Sequence, residues 1–463
     1  MARIRGYRRK TNYKGFFVVL FLVAIGALVY FASQSEIFEK KSPEIIIENA
    51  GNFWNPKTQT QIILKDSSAI KSYSILATLE NGEKVLDIQE VVLDKPKELK
   101  LFLPVPQRKL PEGAKISYEI SATDWSNSNF FSGNTTLKRL DFTIDTQAPK
   151  IEVIASSFSI SYGGSALIIF KATEDNLKKL VVSNGVDEFV PFPYLKKDYY
   201  VTLVAWPVKN KSFTPLIIAQ DGANNQTRYQ VAIIKKLKGY RDSTIRLQDK
   251  NFGKVDELAQ MLVPDMRFES RSEKFRYINE SIREKDEKAI FDASSHFEVN
   301  MITRPIIFER FYPLRGAQVV GSFGDSRHYY YKDKNISNSY HLGLDMASVA
   351  NAPIIASNPG KIVLEQKLGI YGNTIVLYHG LGVSSLYSHI SNFKKALGDD
   401  IREGEVIAES GSTGWAFGDH LHFGILVQGQ FVRLAEWMDG KWIKNNITSV
   451  FQKGEKIILR NQK

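Results

Sequence analysis

The 463-residue sequence contains no cysteine. That excludes disulfides, thiolate zinc sites, a cysteine nucleophile and a lipidated N-terminal cysteine, so any metal must be held by histidine and carboxylate alone. Acidic residues are missing from the first fourteen positions, where Arg3, Arg5, Arg8, Arg9, Lys10 and Lys14 supply six of the eleven net positive charges. The other 449 residues carry a net +5, too little for a nucleic-acid footprint, which needs cations gathered on one face. No nucleic acid is therefore expected as a partner. With 24% charged and 43% hydrophobic residues the composition is that of globular protein, and the length suits about three or four domains.

The basic N-terminus has a reason. Residues 15–32 read GFFVVLFLVAIGALVYFA, an uncharged run spanning about 27 Å as a helix, close to the roughly 30 Å hydrocarbon core of a bilayer. Cations before it and Glu36 and Glu39 after it place residues 1–14 in the cytoplasm by the positive-inside rule. A cleaved signal peptide is the competitor, but the run is longer than the usual apolar region. Tyr30 and Phe31 also spoil the small-residue cleavage pattern. The expectation is a single-pass anchor in the cytoplasmic (inner) membrane, with everything after residue 33 extracytoplasmic.

Residues 43–236 alternate short β-branched and aromatic runs with turn residues, as at 44–48 (EIIIE), 99–105 (LKLFLPV), 166–172 (ALIIFKA) and 200–205 (YVTLVA). Such spacing indicates antiparallel sandwiches. Ala122-Thr-Asp124-Trp-Ser-Asn127 and Ala219-Gln-Asp221-Gly-Ala-Asn224 share A-x-D-x-x-N at a 97-residue interval, close to the roughly 100 residues of an immunoglobulin-like module. The stretch Asp145-Thr-Gln-Ala-Pro149 resembles the linker that opens many bacterial modules of that kind. Two Ig-like domains are thus expected, at 43–147 and 148–236.

Residues 237–303 change character. Phe275, Ile278 and Ile282 recur at helical spacing within 272–295, with Glu284 and Lys288 as an i,i+4 pair, and 254–262 forms a shorter helical candidate stopped by Pro264. This is a helical connector, either a spacer packed on the next domain or a segment lying over its site. Residues 304–445 are again strand-like and Gly-rich, and 446–463 read as a C-terminal tail.

Five of the seven histidines fall between residues 341 and 422. In Asp419-His420-Leu421-His422-Phe423-Gly424-Ile425, strand alternation puts His420, His422 and Gly424 on one face and the apolar residues on the other. The imidazoles then stand about 6.6 Å apart along the strand, with Gly424 expected to keep that face open. In His341-Leu-Gly-Leu-Asp345 an extended chain would hold the two polar residues about 13 Å apart, so a bend near Gly343 is needed for convergence. Tyr387-Ser-His389 ends a further strand. Two histidines and one carboxylate would leave zinc an open position for water, the arrangement of a catalytic site.

The segments HLGLD (341–345), LYSHIS (386–391), GSTG (411–414) and HLHFG (420–424) resemble those of the lysostaphin/LytM-type zinc endopeptidases, peptidase family M23. Gly321-Ser-Phe-Gly324, Ala352-Pro-Ile-Ile-Ala356 with Gly360, Tyr371-Gly-Asn373 and His379-Gly380 support the same resemblance. It covers residues 305–440 and says nothing of 43–300. It implies one Zn2+ held by His341, Asp345 and His422, with His389 and His420 as the catalytic pair and His379 structural. His296 and His328 lie outside the motifs, and Tyr329 to Tyr331 and Tyr340 are nearby candidates for oxyanion contacts. Gly424 replaces a Glu common in the family, a departure expected to touch substrate contacts. The fold class implied for the chain is mainly β: two Ig-like sandwiches, a helical connector and a C-terminal antiparallel β-sheet peptidase domain.

The resemblance further implies a peptidoglycan hydrolase of D,D-endopeptidase type cutting stem-peptide cross-links in cell-wall remodelling. Cell-wall or divisome/elongation proteins would be the partner class. The alternative is a non-catalytic LytM-type activator of a wall amidase.

Overall fold

The computed structural model describes residues 13–33, 39–48 and 51–460. Most of the basic segment, residues 1–12, lies outside the described residues. Tyr13–Ser33 is one helix, and within it Tyr13–Phe31 has a mean hydropathy of 2.3 and no buried residue. Its length and composition suffice to cross a membrane or to serve as a signal sequence.

The rest is mainly β and divides into two compact units, Met1–Ala148 with Gly222–Asn225, and Pro149–Asp221 with Gln226–Lys463. In the first, a three-stranded sheet (Glu44–Ile47, Gln61–Lys65, Glu98–Phe102) and a five-stranded sheet centred on Ile70–Leu79 and Lys115–Asp124 share one core. Ile62 and Leu64 from one sheet meet Ile75, Tyr118 and Ile120 from the other. The alternating burial of Lys115–Asp124 is the period-2 pattern written in its sequence.

In the second unit, two four-stranded sheets, built around Ser165–Thr173 and Leu216–Asp221, belong to the same hydrophobic core as all that follows them. Residues 446–463, expected to be a tail, instead carry the helix Ser449–Arg460. Val450, Phe451, Gly454 and Ile458 repeat at helical intervals and are buried, and a Cβ on Gly454 would lie 2.6 Å from Ile169 Cδ1. Lys196 Nζ donates to the Ile458 carbonyl at 2.9 Å, where the helix ends.

The connector is helical. Gly253–Leu262 is followed by Arg271–Arg276, which runs through a π-helical turn, Tyr277–Ile282, into Arg283–Ser295. Ser270 caps its start by accepting from the Glu273 N–H at 3.1 Å. Phe275, Ile278, Ile282, Asp286 and Ile290 form one buried stripe. The expected Glu284–Lys288 pair is not the one formed: Lys288 Nζ reaches Asp292, 2.7 Å away and nearer the C-terminus.

The sheet that positions the site runs in the order Gln318–Gly321, Leu344–Ala347, Leu421–Val427, Val383–Ser388, Asn373–Gly380, Gly360–Lys367, Asp400–Ile401. Leu421–Val427 is buried throughout and is flanked on both sides, with Asp345 opposite His422 and Ser388 also opposite His422. Register alone therefore brings three separate stretches of chain to one place.

Candidate metal centre

His341 precedes a bend at Gly343, after which Leu344–Ala347 begins, so the i,i+4 pair closes to 3.0 Å between His341 Nε2 and Asp345 Oδ1. His422 Nδ1 lies 2.8 Å from the same oxygen and 3.1 Å from His341 Nε2. Two glycines make this approach sterically feasible. A Cβ on Gly343 would stand 2.3 Å from His422 Nε2, and one on Gly321 would stand 2.3 Å from Asp345 Oδ2. Both glycines occur in the motifs, but their role is visible only in three dimensions.

Hydrogen bonding fixes what these atoms present. His341 Nδ1 donates to the Ser322 carbonyl at 2.8 Å, which leaves Nε2 a lone pair aimed at a carboxylate oxygen and a second imidazole nitrogen. Lone pairs so placed repel unless a cation lies between them. The donor set, two imidazole nitrogens and one carboxylate oxygen with all three atoms within 4.8 Å of one another, fits zinc. Burial opposes ionisation of Asp345, but without a cation between them a proton held by His341 or His422 outweighs it and holds the carboxyl far below the usual carboxylate range. Burial pushes His422 down to about 4 against the pull of Asp345, so it is a neutral ligand at physiological pH.

His389 and His420 stand beside this cluster with ring centroids 4.7 Å apart, and His389 is 5.8 Å from His422 by the same measure. His389 adopts φ +64°, a conformation costly for a side-chain-bearing residue and held here by its surroundings. Its backbone N–H donates to the Tyr371 carbonyl at 3.0 Å and its Nδ1 to the Thr413 carbonyl at 2.7 Å. His420 Nδ1 donates to the Gly418 carbonyl at 2.8 Å, and its Nε2 lies 3.8 Å from Asp345 Oδ1. Both rings therefore offer Nε2 as the free nitrogen. Burial, reinforced by the neighbouring His422 and His420 rings, lowers His389 to about 3 and keeps it neutral.

All five residues line a cleft of about 550 Å³, walled also by Tyr371, Trp415, Phe417, Tyr329 and, from the connector, Phe275 and Arg283. Of the tyrosines singled out by sequence, Tyr329 reaches this cleft, while Tyr331 donates its hydroxyl to Asp249 at 2.6 Å. His379 donates to the Pro359 carbonyl and meets Ser385 Oγ, both at 2.7 Å, and is absent from the cleft. His296 and His328 lie outside it too. Gly424 does not keep the face open as expected: a Cβ there would meet Phe431 and Leu386 at 3.2 to 3.3 Å, so this position belongs to the core. Asp286 and Arg283 escaped sequence reasoning because each reads as an ordinary charge on a polar helix.

Residues 339–434, which hold all five positions, match the model of peptidase family M23. Over 90 residues the chain is 42% identical to the DD-carboxypeptidase/endopeptidase Mpg of Neisseria meningitidis, covering 19% of this chain and 21% of that protein. Over 123 residues it is 30% identical to the peptidoglycan DD-endopeptidase ShyA of Vibrio cholerae, covering 27% of this chain and 28% of the other. Among solved structures, the catalytic domain of lysostaphin from Staphylococcus simulans aligns at 25% identity and a TM-score of 0.23, covering 26% of this chain and 92% of that one. The chain spans between a fifth and a third of the length of these two curated relatives.

Proposed function

From the peptidase family M23 domain at residues 339–434, we propose that the protein is a zinc-dependent peptidoglycan hydrolase. It would cleave stem-peptide cross-links in the manner of a D,D-endopeptidase. The observation that carries this is the convergence of His341 Nε2, Asp345 Oδ1 and His422 Nδ1 in a cleft where the Nε2 atoms of His389 and His420 are also free. A zinc ion held by the three ligands would supply Lewis-acid polarisation of water and of the scissile carbonyl.

The chain's own residues do the rest. With Nδ1 of His389 and His420 committed to carbonyls, a neutral ring can only accept at Nε2, and it becomes a donor there once it has taken a proton. One imidazole thus takes the proton of the attacking water, and the imidazolium so formed donates to the developing oxyanion or the leaving amine. The walls supplied by Tyr371, Trp415 and Phe275 exclude bulk water and strengthen these interactions.

The helix Tyr13–Ser33 serves as an uncleaved anchor in the inner membrane, with the catalytic domain periplasmic. Residues 43–147 act as an Ig-like arm toward the wall or toward cell-wall partners, and residues 148–236, Ig-like as well, serve as a base that shares its core with the peptidase domain. The complete donor set and the free imidazole pair favour an enzyme over a non-catalytic amidase activator.

Digestion of purified cross-linked sacculi by the full-length, zinc-loaded chain tests this, with muropeptides identified after digestion. Cross-linked dimers are expected to disappear and monomers to accumulate. Recovery of intact dimers would overturn the assignment.

A further inference from the structure

Four charged side chains line the cleft: Asp345, Asp419, Arg327 and Arg283. Two of them, Asp345 and Arg327, have an ionisable partner within the protein, whereas Asp419 and Arg283 have only neutral ones. Asp345 faces His341 and His422, while Asp419 accepts from the Asn351 N–H at 3.0 Å and from the Ser410 hydroxyl. Arg327 Nε pairs with Asp325 Oδ2 at 3.1 Å. Of the two with only neutral partners, Arg283 is the cation. Its Nε donates to the Asn279 carbonyl at 2.9 Å and its Nη2 to Asn279 Oδ1 at 2.8 Å, both neutral acceptors. Among the described residues it forms no ion pair, although it is only partly exposed. A guanidinium carries five N–H donors in a planar fork suited to a carboxylate, and two of its three nitrogens are already oriented by Asn279.

The position of this cation is fixed relative to the metal centre. One turn further along the same helix, buried Asp286 accepts from the N–H groups of Gly369, Ile370 and Tyr371 at 2.9, 2.6 and 3.4 Å. The Tyr371 carbonyl in turn receives the His389 N–H. The helix bearing Arg283 is thus bolted to the loop that holds one of the two free imidazoles. The stripe of Phe275, Ile278 and Ile282 packs the same helix into the core. A divalent cation held with a single ligand carboxylate would leave the cleft with an excess of positive charge, which would draw in anionic substrates.

We infer that Arg283, contributed by the helical connector from outside the matched peptidase segment, is a specificity-determining residue. It binds a free carboxylate of the peptide substrate close to the scissile bond, selecting carboxylate-bearing stem peptides over uncharged bridges such as oligoglycine. This rests on the peptidase assignment above, since it names the substrate class of that same cleft. It requires the connector to be part of the active centre, with Arg283 acting on substrate and Asp286 acting as a positioning residue.

The test uses the full-length, zinc-loaded chain in detergent with a synthetic cross-linked peptide dimer and its twin, in which the carboxylates flanking the scissile bond are carboxamides. A charge-assisted, partly desolvated pair should favour the carboxylate form about 10- to 100-fold in kcat/KM, chiefly through KM. Arg283→Gln should bring the ratio between the two peptides close to one, and Arg283→Lys should leave an intermediate ratio because the charge remains without the fork. Zinc content and thermal unfolding of each variant verify its fold. A wild-type ratio near one, or a ratio preserved in Arg283→Gln, would overturn the inference. Calorimetric binding of the carboxylate product peptide separates the two claims. Binding that weakens in Arg283→Gln while neither dimer is cut supports the carboxylate subsite and refutes the peptidase reading. Binding indifferent to the carboxylate refutes the subsite.

Discussion

One of the two tight approaches at the metal centre is that of Gly321 to Asp345. An ideal Cβ built there lies 2.3 Å from Asp345 Oδ2, 2.9 Å from its Cγ and 3.0 Å from its Cβ, whereas ordinary contact begins at 3.4 Å. Gly321→Ala must therefore drive the carboxylate back by about 1 Å, since the obstacle is the short Asp345 side chain itself. Zinc–carboxylate bonds are near 2.0–2.2 Å and tolerate deviations of only about 0.2 Å. A shift several times that tolerance should cost about 10- to 100-fold in zinc affinity, or about 1.4–2.8 kcal/mol. The backbone at Gly321 is not in the left-handed region, so the zinc-free protein should change in stability by less than about 1 kcal/mol. The assay is competition for zinc against a chromophoric chelator, paired with thermal unfolding of zinc-free and zinc-loaded protein. Gly424→Ala is the control: its Cβ meets core side chains and no ligand, so it should cost some stability and leave zinc affinity intact. Gly321→Ala protein that binds zinc within twofold of wild type would refute the reasoning.

Three further outcomes follow from the geometry. Asp286→Asn replaces one acceptor with a donor that faces buried N–H groups of the loop 369–371, and should cost about 1–3 kcal/mol in chemical denaturation; an unchanged midpoint would contradict the clamp. Burial lowers His379 to about 4, against the stabilising Pro359 carbonyl, so the unfolded chain binds the proton first as pH falls. Stability from neutral His379 is therefore present above about pH 6.5 and lost between there and about pH 4, by up to about 3 kcal/mol. The difference in unfolding free energy between wild type and His379→Gln should shrink across that window, and a pH-independent difference would refute the shift. His389→Ala and His420→Ala should each lower kcat by about 100-fold or more while keeping their zinc; full turnover in either would remove that residue from the catalytic pair.

Much of the site is legible in the sequence because its determinants are local. The bend at Gly343 and the alternation of His420 and His422 on an apolar strand are written in five-residue words, and strand register then assembles them. What escaped depends on distant partners. Gly424 is closed off by Phe431 and Leu386, the cleft-facing position of Arg283 depends on Asn279, and the clamping role of buried Asp286 depends on a loop more than eighty residues away. The C-terminal helix is a different case. Val450, Phe451, Gly454 and Ile458 carried a helical period in plain view, but a polar, Lys-rich background masked it. In the connector, the apolar spacing of Phe275, Ile278 and Ile282 gave the helix, while its ion pairing shifted from Glu284 to Asp292 because exposed pairs are weakly specified.

The most direct measurement is the zinc content of the purified full-length chain and of its alanine variants, determined by plasma mass spectrometry after dialysis against a weak chelator. Wild type, His389→Ala and His420→Ala should each retain one zinc per chain, whereas His341→Ala, Asp345→Ala and His422→Ala should retain little. Wild-type protein that holds no zinc, or a His422→Ala chain that keeps a full equivalent, would contradict the centre described here.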